Sequence, residues 1–309
     1  MSVREGSCAP HHDLDEAIWR TIAYAGLFQY PLRPSELRRR LVDVAAGEPQ
    51  LLARLFAPNL RSQIALRDGF VFPTGCEAWV DLRRARGERT DRLLARHDRA
   101  LRALARVPFV RMVALSGACA HGNASDDDVD VFLITRPARA WAVTLFLMVA
   151  SKLAGLRRSL CINYILAEDG LTLPERDRFT AAELVGLRPL AGRAVYRRFV
   201  RANDWIAPLH PNFCDSFETD SAAVPEDIGA PRLEAVLDGL GAGLFERLAR
   251  RVLEPYLRRR LHGPGVALSS SRLKLHAYDH RPSVGQALDA ALAPPPAVDE
   301  EALRGVLRA

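Results

Sequence analysis

Two apolar runs, Phe109 to Leu115 and Val129 to Thr135, constrain this chain more than any other feature; a small-residue turn at Ser116-Gly117 and a polar loop join them. Both are rich in β-branched and aromatic residues and are of strand length, so the segment predicts strand, turn, loop, strand. The second run follows Asp126-Asp127-Asp128 and carries Asp130 directly after Val129. Side chains alternate along a strand, so Asp128 and Asp130 point to the same face. Two acids so close repel each other unless a cation lies between them, and hard carboxylate oxygens suit Mg²⁺ or Mn²⁺. A solvated acidic turn is the plainer account. The glycine turn and the apolar strands on either side favour the metal-binding pair.

The surrounding pattern predicts an α+β unit. An arginine-rich helix from Cys76 to about Val107, with Leu93, Leu94, Leu101 and Leu104 in one stripe, ends at Pro108. A mostly apolar helix over Ala140 to Leu156 and a third strand over Leu160 to Leu166 follow. Residues 83–215 are therefore taken as the central domain. Ahead of it, residues 1–13 read as a disordered tail, and residues 14–82 as a winged-helix-like domain. That domain has helical spacing over Glu16 to Tyr24, Glu36 to Val42 and Leu51 to Phe56, then a hairpin over Ile64 to Phe72 with Asp68-Gly69 at its tip. A linker over Ile206 to Pro225 leads to a helical C-terminal region, 226–309, with an amphipathic stretch over Leu233 to Leu261.

The whole-chain properties exclude several classes. The 309 residues carry a net charge of +6, and nearly all of the 43 basic residues are arginine. Five scattered cysteines without a Cys-x-x-Cys pair suggest neither a disulfide framework nor a zinc site, and fit a reducing compartment. The first residues carry acids and histidines rather than a basic and then apolar leader, so no signal peptide is expected. The longest apolar run, Ala140 to Ala150, is about half of the ~20 residues a membrane span needs. A cytoplasmic protein with no membrane partner is the expectation.

Ser116-Gly117, Gly122 and Asp128-Val129-Asp130 together resemble the signature of the DNA polymerase β-type nucleotidyltransferase superfamily. Leu27-Phe28-Gln29-Tyr30-Pro31-Leu32, Arg139-Ala140-Trp141 and Cys161-Ile162-Asn163-Tyr164 further resemble a bacterial group in which a winged helix precedes that fold. The resemblance implies a small mixed-sheet core presenting Asp128 and Asp130 to a Mg²⁺-bound (or Mn²⁺-bound) nucleoside triphosphate. The nucleoside monophosphate would pass to an unidentified acceptor. Glycine at 117 and 122 lets the backbone approach phosphate oxygens, and Ser116 and Ser125 offer hydroxyls to the same nucleotide. Two departures stand out. The turn is Ser-Gly where the family has Gly-Ser, and the strand that carries the family's third carboxylate has Asn163 as its strongly polar residue. An amide oxygen can ligate Mg²⁺ but cannot act as a base. The alternative reading is a catalytically impaired member with a regulatory nucleotide- or DNA-binding role; a third makes the C-terminal helices an assembly surface.

Other polar groups receive plainer readings. His121 reads as an exposed loop histidine and Arg136 and Arg139 as surface residues, although all three lie close enough in sequence to meet a phosphate. Lys274, His276, Asp279 and His280 do not form a zinc motif. Arg38-Arg39-Arg40 offers nonspecific nucleic-acid contact through backbone phosphates.

Overall fold

The computed structural model describes residues 11–157, 159–275, 279 and 281–292. Its N-terminal part is built by four helices, α1 (His11–Gly26), α2 (Pro34–Arg40), α3 (Glu48–Leu55) and α4 (Pro58–Arg61), the last three with a proline in the first turn. Proline suits the first turn of α2, α3 and α4 because the N–H it lacks has no partner there anyway. Glu36 and Gln50 reach back to the backbone N–H of Arg33 and Gly47, closing the first turns of α2 and α3. A hairpin of β1 (Ile64–Arg67) and β2 (Phe70–Pro73) follows. Asp68 and Gly69 at its tip both have positive φ, 54° and 77°, as a two-residue turn matched to strand twist requires. Ile18, Leu37, Leu51, Leu55 and Val71 close a core of their own. Residues 11–13, expected to belong to a disordered tail, are helical, since α1 runs from His11 with Asp13 in its first turn, where an acid favours the helix dipole. Residues 1–10 lie outside the described residues.

The long helix α5 (Ala78–Leu104) leads into β3 (Val110–Leu115), the single turn α6 (Gly117–Ala120), β4 (Val129–Thr135), α7 (Ala140–Leu153) and β5 (Leu160–Ala167). The boundary drawn at 82/83 thus falls inside one helix. Next come α8 (Arg178–Gly186), β6 (Arg188–Ala191), α9 (Arg193–Arg201), α10 (Pro211–Asp220), α11 (Pro231–Gly239) and α12 (Ala242–Arg260). β7 (Val266–Leu268), β8 (Arg272–Leu275) and α13 (Arg281–Leu292) complete the chain. The six strands form one mixed sheet in the order β6-β3-β4-β5-β8-β7. β4 and β5 are parallel, joined through α7, and every other pair is antiparallel. The molecule is thus an α+β protein with, among the described residues, 13 helices, this sheet and the small hairpin.

Strand alternation divides the sheet's two faces. Val113, Leu115, Val129, Val131 and Leu133 point to the core made with α5, α7 and α12. Met112, Ala114, Phe132, Ile134 and Leu166 point to a second core, covered by α8, α9 and α10. Two sequence expectations need correction here. The C-terminal region is not all helical, because β7 and β8 extend the sheet beyond β5; these short stretches flank a serine-rich turn and carry little local signal. The stretch over Leu233 to Leu261 is two helices, broken at Gly241, whose φ of +89° no helix continues through.

Candidate functional site

Asp130, Phe132 and Ile134 share the second face of the sheet, and at its Asp130 end the covering helices leave a cavity of about 650 Å³. Ser116, Gly117, Ala118, Asp130 and Asn163 line one end of it; Tyr24 of α1 and Phe28 just beyond it, Phe179 and Glu183 of α8, and Val284, Leu288 and Leu292 of α13 line the rest. Those three α13 residues recur every fourth position, so one stripe of that helix faces the cavity. The Ser116 N–H donates to the Asp130 carbonyl (3.0 Å), which fixes the turn to the strand. Gly117 has φ +58°, and a Cβ built on it would lie 2.5 Å from Asp130 Oδ2. The turn needs glycine both for its conformation and for the carboxylate packed against it.

Asn163 reaches the same point through an irregularity in β5. Asp130 pairs with Cys161 and Val131 with Ile162, but Phe132 pairs with Tyr164, so Asn163 is an extra residue in the ladder. The bulge reverses the alternation: Leu160, Ile162 and Ile165 face the α7 side, while Tyr164 and Leu166 face the other. Asn163 and Tyr164 both line the cavity as a result. Asn163 Nδ2 donates to Asp130 Oδ1 at 2.6 Å. The amide therefore holds the aspartate in place, and its N–H₂ end, not its oxygen, meets the carboxylate.

The electrostatics of this end are anionic. Burial, and then repulsion from Asp126 and Asp128, push the Asp130 carboxyl up to about 6, with the Asn163 hydrogen bond acting in the opposite direction. Burial and the same acids push the Cys119 and Cys161 thiols up to about 11 and about 12, so both stay protonated. Asp128 is half-buried at the edge of β4 beside Cys161 and is not among the residues lining the cavity. Neither Asp128 nor Asp130 forms an ion pair with a described Lys or Arg, whereas Asp127 is taken by Arg89 at 2.8 Å. Glu183, which the sequence reading missed, faces Asp130 from α8; burial and the Asp130 charge push it up to about 7. Tyr24, also missed, places its buried hydroxyl in the same cavity with no hydrogen-bond partner among the described residues.

The N-terminal unit closes this site. Arg83 of α5 donates to the Gly122 carbonyl (2.7 Å) and to the Tyr30 hydroxyl (2.9 Å), and that hydroxyl lies 2.8 Å from the His121 carbonyl. Arg40 Nη2 donates to His121 Nδ1 at 2.8 Å, which leaves the ring proton on Nε2. Burial and the nearby Arg40, Arg83 and Arg39 charges hold His121 down at about 3, so the ring is neutral. Far from being an exposed loop residue, it is wedged against Gly186, where an added Cβ would lie 2.3 Å from its Cε1. The arginine triplet is directed inward as well: Arg39 stacks on Phe213 and pairs with Asp220, and Arg40 stacks on Tyr30.

Other expected site residues lie elsewhere. Ser125 is exposed, because the loop after α6 turns outward past Asn123 and Ala124, and Gly122, whose carbonyl is bound by Arg83, is absent from the cavity lining. Arg136 and Arg139 are held by Asp238 of α11, both at 2.7 Å, and stack on Phe109, so they brace α11 against the end of β3. Lys274 and Asp279 line the cavity, Asp279 bound to Arg281 and Lys274 at 3.9 Å from Glu175. His276 and His280 lie outside the described residues. Among the described residues no cluster of three or more His, Cys, Asp or Glu forms a metal site. Compared with known proteins, the chain matches no protein-family model, no curated protein and no solved structure.

Proposed function

We propose that this chain is a Mg²⁺-dependent nucleotidyltransferase of the DNA polymerase β type, moving a nucleoside monophosphate from a nucleoside triphosphate to a hydroxyl or amine of a second molecule. The observation that carries the reading is Asp130: a carboxylate on the central sheet, at the wall of a ligand-sized cavity, beside a glycine turn, with no cation of the protein against it. The donor set fits one ion. Asp128 and Asp130 carry uncompensated charge, and Mg²⁺ commonly takes one or two carboxylates and completes its shell with water and substrate phosphates. When bound, the ion supplies positive charge that offsets the phosphates.

The chain's own residues supply the rest. Ser116, Gly117 and Ala118 border the phosphate end, and Asn163 holds Asp130 in a fixed orientation. The acceptor's oxygen or nitrogen bonds to the α-phosphorus as the bond to the bridging oxygen breaks, and the electron pair leaves with pyrophosphate. The acceptor's proton passes to Glu183, which lines the same cavity and whose affinity for protons suits neutral pH. The order of helices and hairpin in residues 11–73 supports a winged-helix-like unit. Its use here is to wall the cavity and exclude water through Tyr24, Phe28 and the Arg40–His121 contact.

A second reading, a catalytically impaired nucleotide-binding protein, is favoured by one observation: Asn163 stands where the superfamily has a third carboxylate. Calorimetry with Mg²⁺ and each nucleoside triphosphate, on the wild type and on Asp128→Asn and Asp130→Asn, tests the site. Metal-dependent binding lost in both variants is expected, and binding unchanged in both overturns it. Transfer of an α-labelled nucleotide to an added acceptor then separates an enzyme from a binder.

A further inference from the structure

We propose that the face formed by α7, α11 and α12 binds the surface of an anionic lipid bilayer. This inference is independent of the nucleotide site, which lies on the opposite face of the sheet. On α12, Ala242, Ala249, Leu253 and Leu257 are buried against the protein, yet Leu244, Leu248 and Val252 form a second stripe, at four-residue spacing, that faces solvent. Leu240, just past α11, and Leu153 of α7 are 79% and 83% exposed, and Phe146 and Val149 extend the surface along α7. Tyr256 links the two helices by its hydrogen bond to Arg157, just beyond α7. So many large apolar side chains exposed on α12 and on the two helices packed against it are unusual in a protein with no partner for them.

The charge around this surface indicates what covers it. At about 100° per residue, Arg247, Arg251 and Arg258 fall together on the flank of α12 beside the apolar stripe. From Ala242 to Arg260 the helix has six arginines and two glutamates. Both glutamates are committed: Glu246 is buried, accepting the N–H groups of Trp141 and Ala142, and Glu254 bridges Arg250 and Arg258. Arg247, Arg251 and Arg259 have no acidic partner among the described residues, and Lys152 lies at the end of α7. A second copy docking by the same patch would set arginine against arginine with no free acid to relieve them. A nucleic acid would satisfy the arginines but leave the leucines in water. An anionic bilayer meets both demands, with aliphatic side chains entering the acyl boundary and arginines meeting the headgroups. No described helix is long and apolar enough to cross a membrane, so the contact is with the surface.

Flotation with vesicles tests this. The full chain should float with phosphatidylglycerol–phosphatidylcholine vesicles, bind pure phosphatidylcholine far more weakly, and be released as salt is raised. Leu244→Asp with Leu248→Asp, and separately Arg247→Glu with Arg251→Glu, should each weaken binding by about tenfold or more. All four positions are exposed, so folding is retained, which circular dichroism checks. Wild type that fails to float with anionic vesicles overturns the proposal, as does binding that survives the leucine pair. A dimer in sedimentation velocity that the leucine pair dissociates, without vesicle binding, overturns it in favour of a second copy. An acidic protein partner captured through this face, again without vesicle binding, overturns it as well.

Discussion

Replacing Glu183 with glutamine should make the protein more stable, and by an amount that depends on pH. Glu183 lies in the cavity without a hydrogen bond or ion pair to a described residue, and burial with the Asp130 charge raises it from 4.5 to about 7. A carboxyl raised on folding binds its proton more tightly in the native state, so ionising it costs stability above pH 7, and the cost fades as pH falls toward 4.5. Linkage between those two values gives a penalty of about 3 kcal/mol at pH 8 and about 1 kcal/mol at pH 5. Glu183→Gln keeps the shape and removes the charge. It should therefore gain up to about 3 kcal/mol at pH 8, less whatever water in the cavity already screens, and about 1 kcal/mol or less at pH 5. Urea unfolding of both proteins at the two pH values, in chelator, measures it. An equal gain at both pH values, or a loss at pH 8, would refute the claim that this acid is held in a desolvated site facing Asp130. In the presence of triphosphate and a transferable acceptor, the same variant should lose turnover while keeping nucleotide affinity, as expected of a proton acceptor.

Gly117→Ala meets two penalties, a left-handed φ of +58° and a Cβ only 2.5 Å from Asp130 Oδ2. It should cost about 2–3 kcal/mol and weaken Mg²⁺-nucleotide binding, read by thermal unfolding and calorimetry; a variant as stable as wild type with full binding would show that the turn does not hold the carboxylate. Asn163→Asp replaces the 2.6 Å donor to Asp130 with a like charge. In chelator it should lose about 2–3 kcal/mol, and millimolar Mg²⁺ should restore most of it, so a melting temperature insensitive to Mg²⁺ would count against metal at this strand.

How far the sequence could foretell this site follows from the range over which its signals act. β4 runs from Val129 to Thr135, as its β-branched and aromatic run predicts, and the Asp68-Gly69 tip forms as expected, because both are decided within a few residues. Asp130 was legible for the same reason: alternation alone puts it on the face of Phe132 and Ile134, here the cavity face. Asp128 shares that parity but falls short of the cavity, since the strand has not yet begun and the chain there follows the loop. Glu183 left only a faint trace, a single acid among Ala181, Ala182, Leu184 and Val185; an acid within so apolar a helical stretch signals burial, but its approach to Asp130 depends on how α8 packs. The destinations of Arg40, Arg136 and Arg139 were hidden for a like reason. Their partners lie 81, 102 and 99 residues away, and no local pattern names them. Asn163 is the instructive case. Leu160, Ile162, Tyr164 and Leu166 read as unbroken alternation, yet Ile162 and Ile165, three residues apart, pack on the same face, which requires the phase to change at one residue between Ile162 and Tyr164. A bulge placed there brings an amide within hydrogen-bonding distance of Asp130, where regular pairing would have set Asn163 opposite Phe132. The polar residue that departs from the superfamily pattern is thus also the residue at which the strand departs from regularity, and Asn163→Asp perturbs the two together.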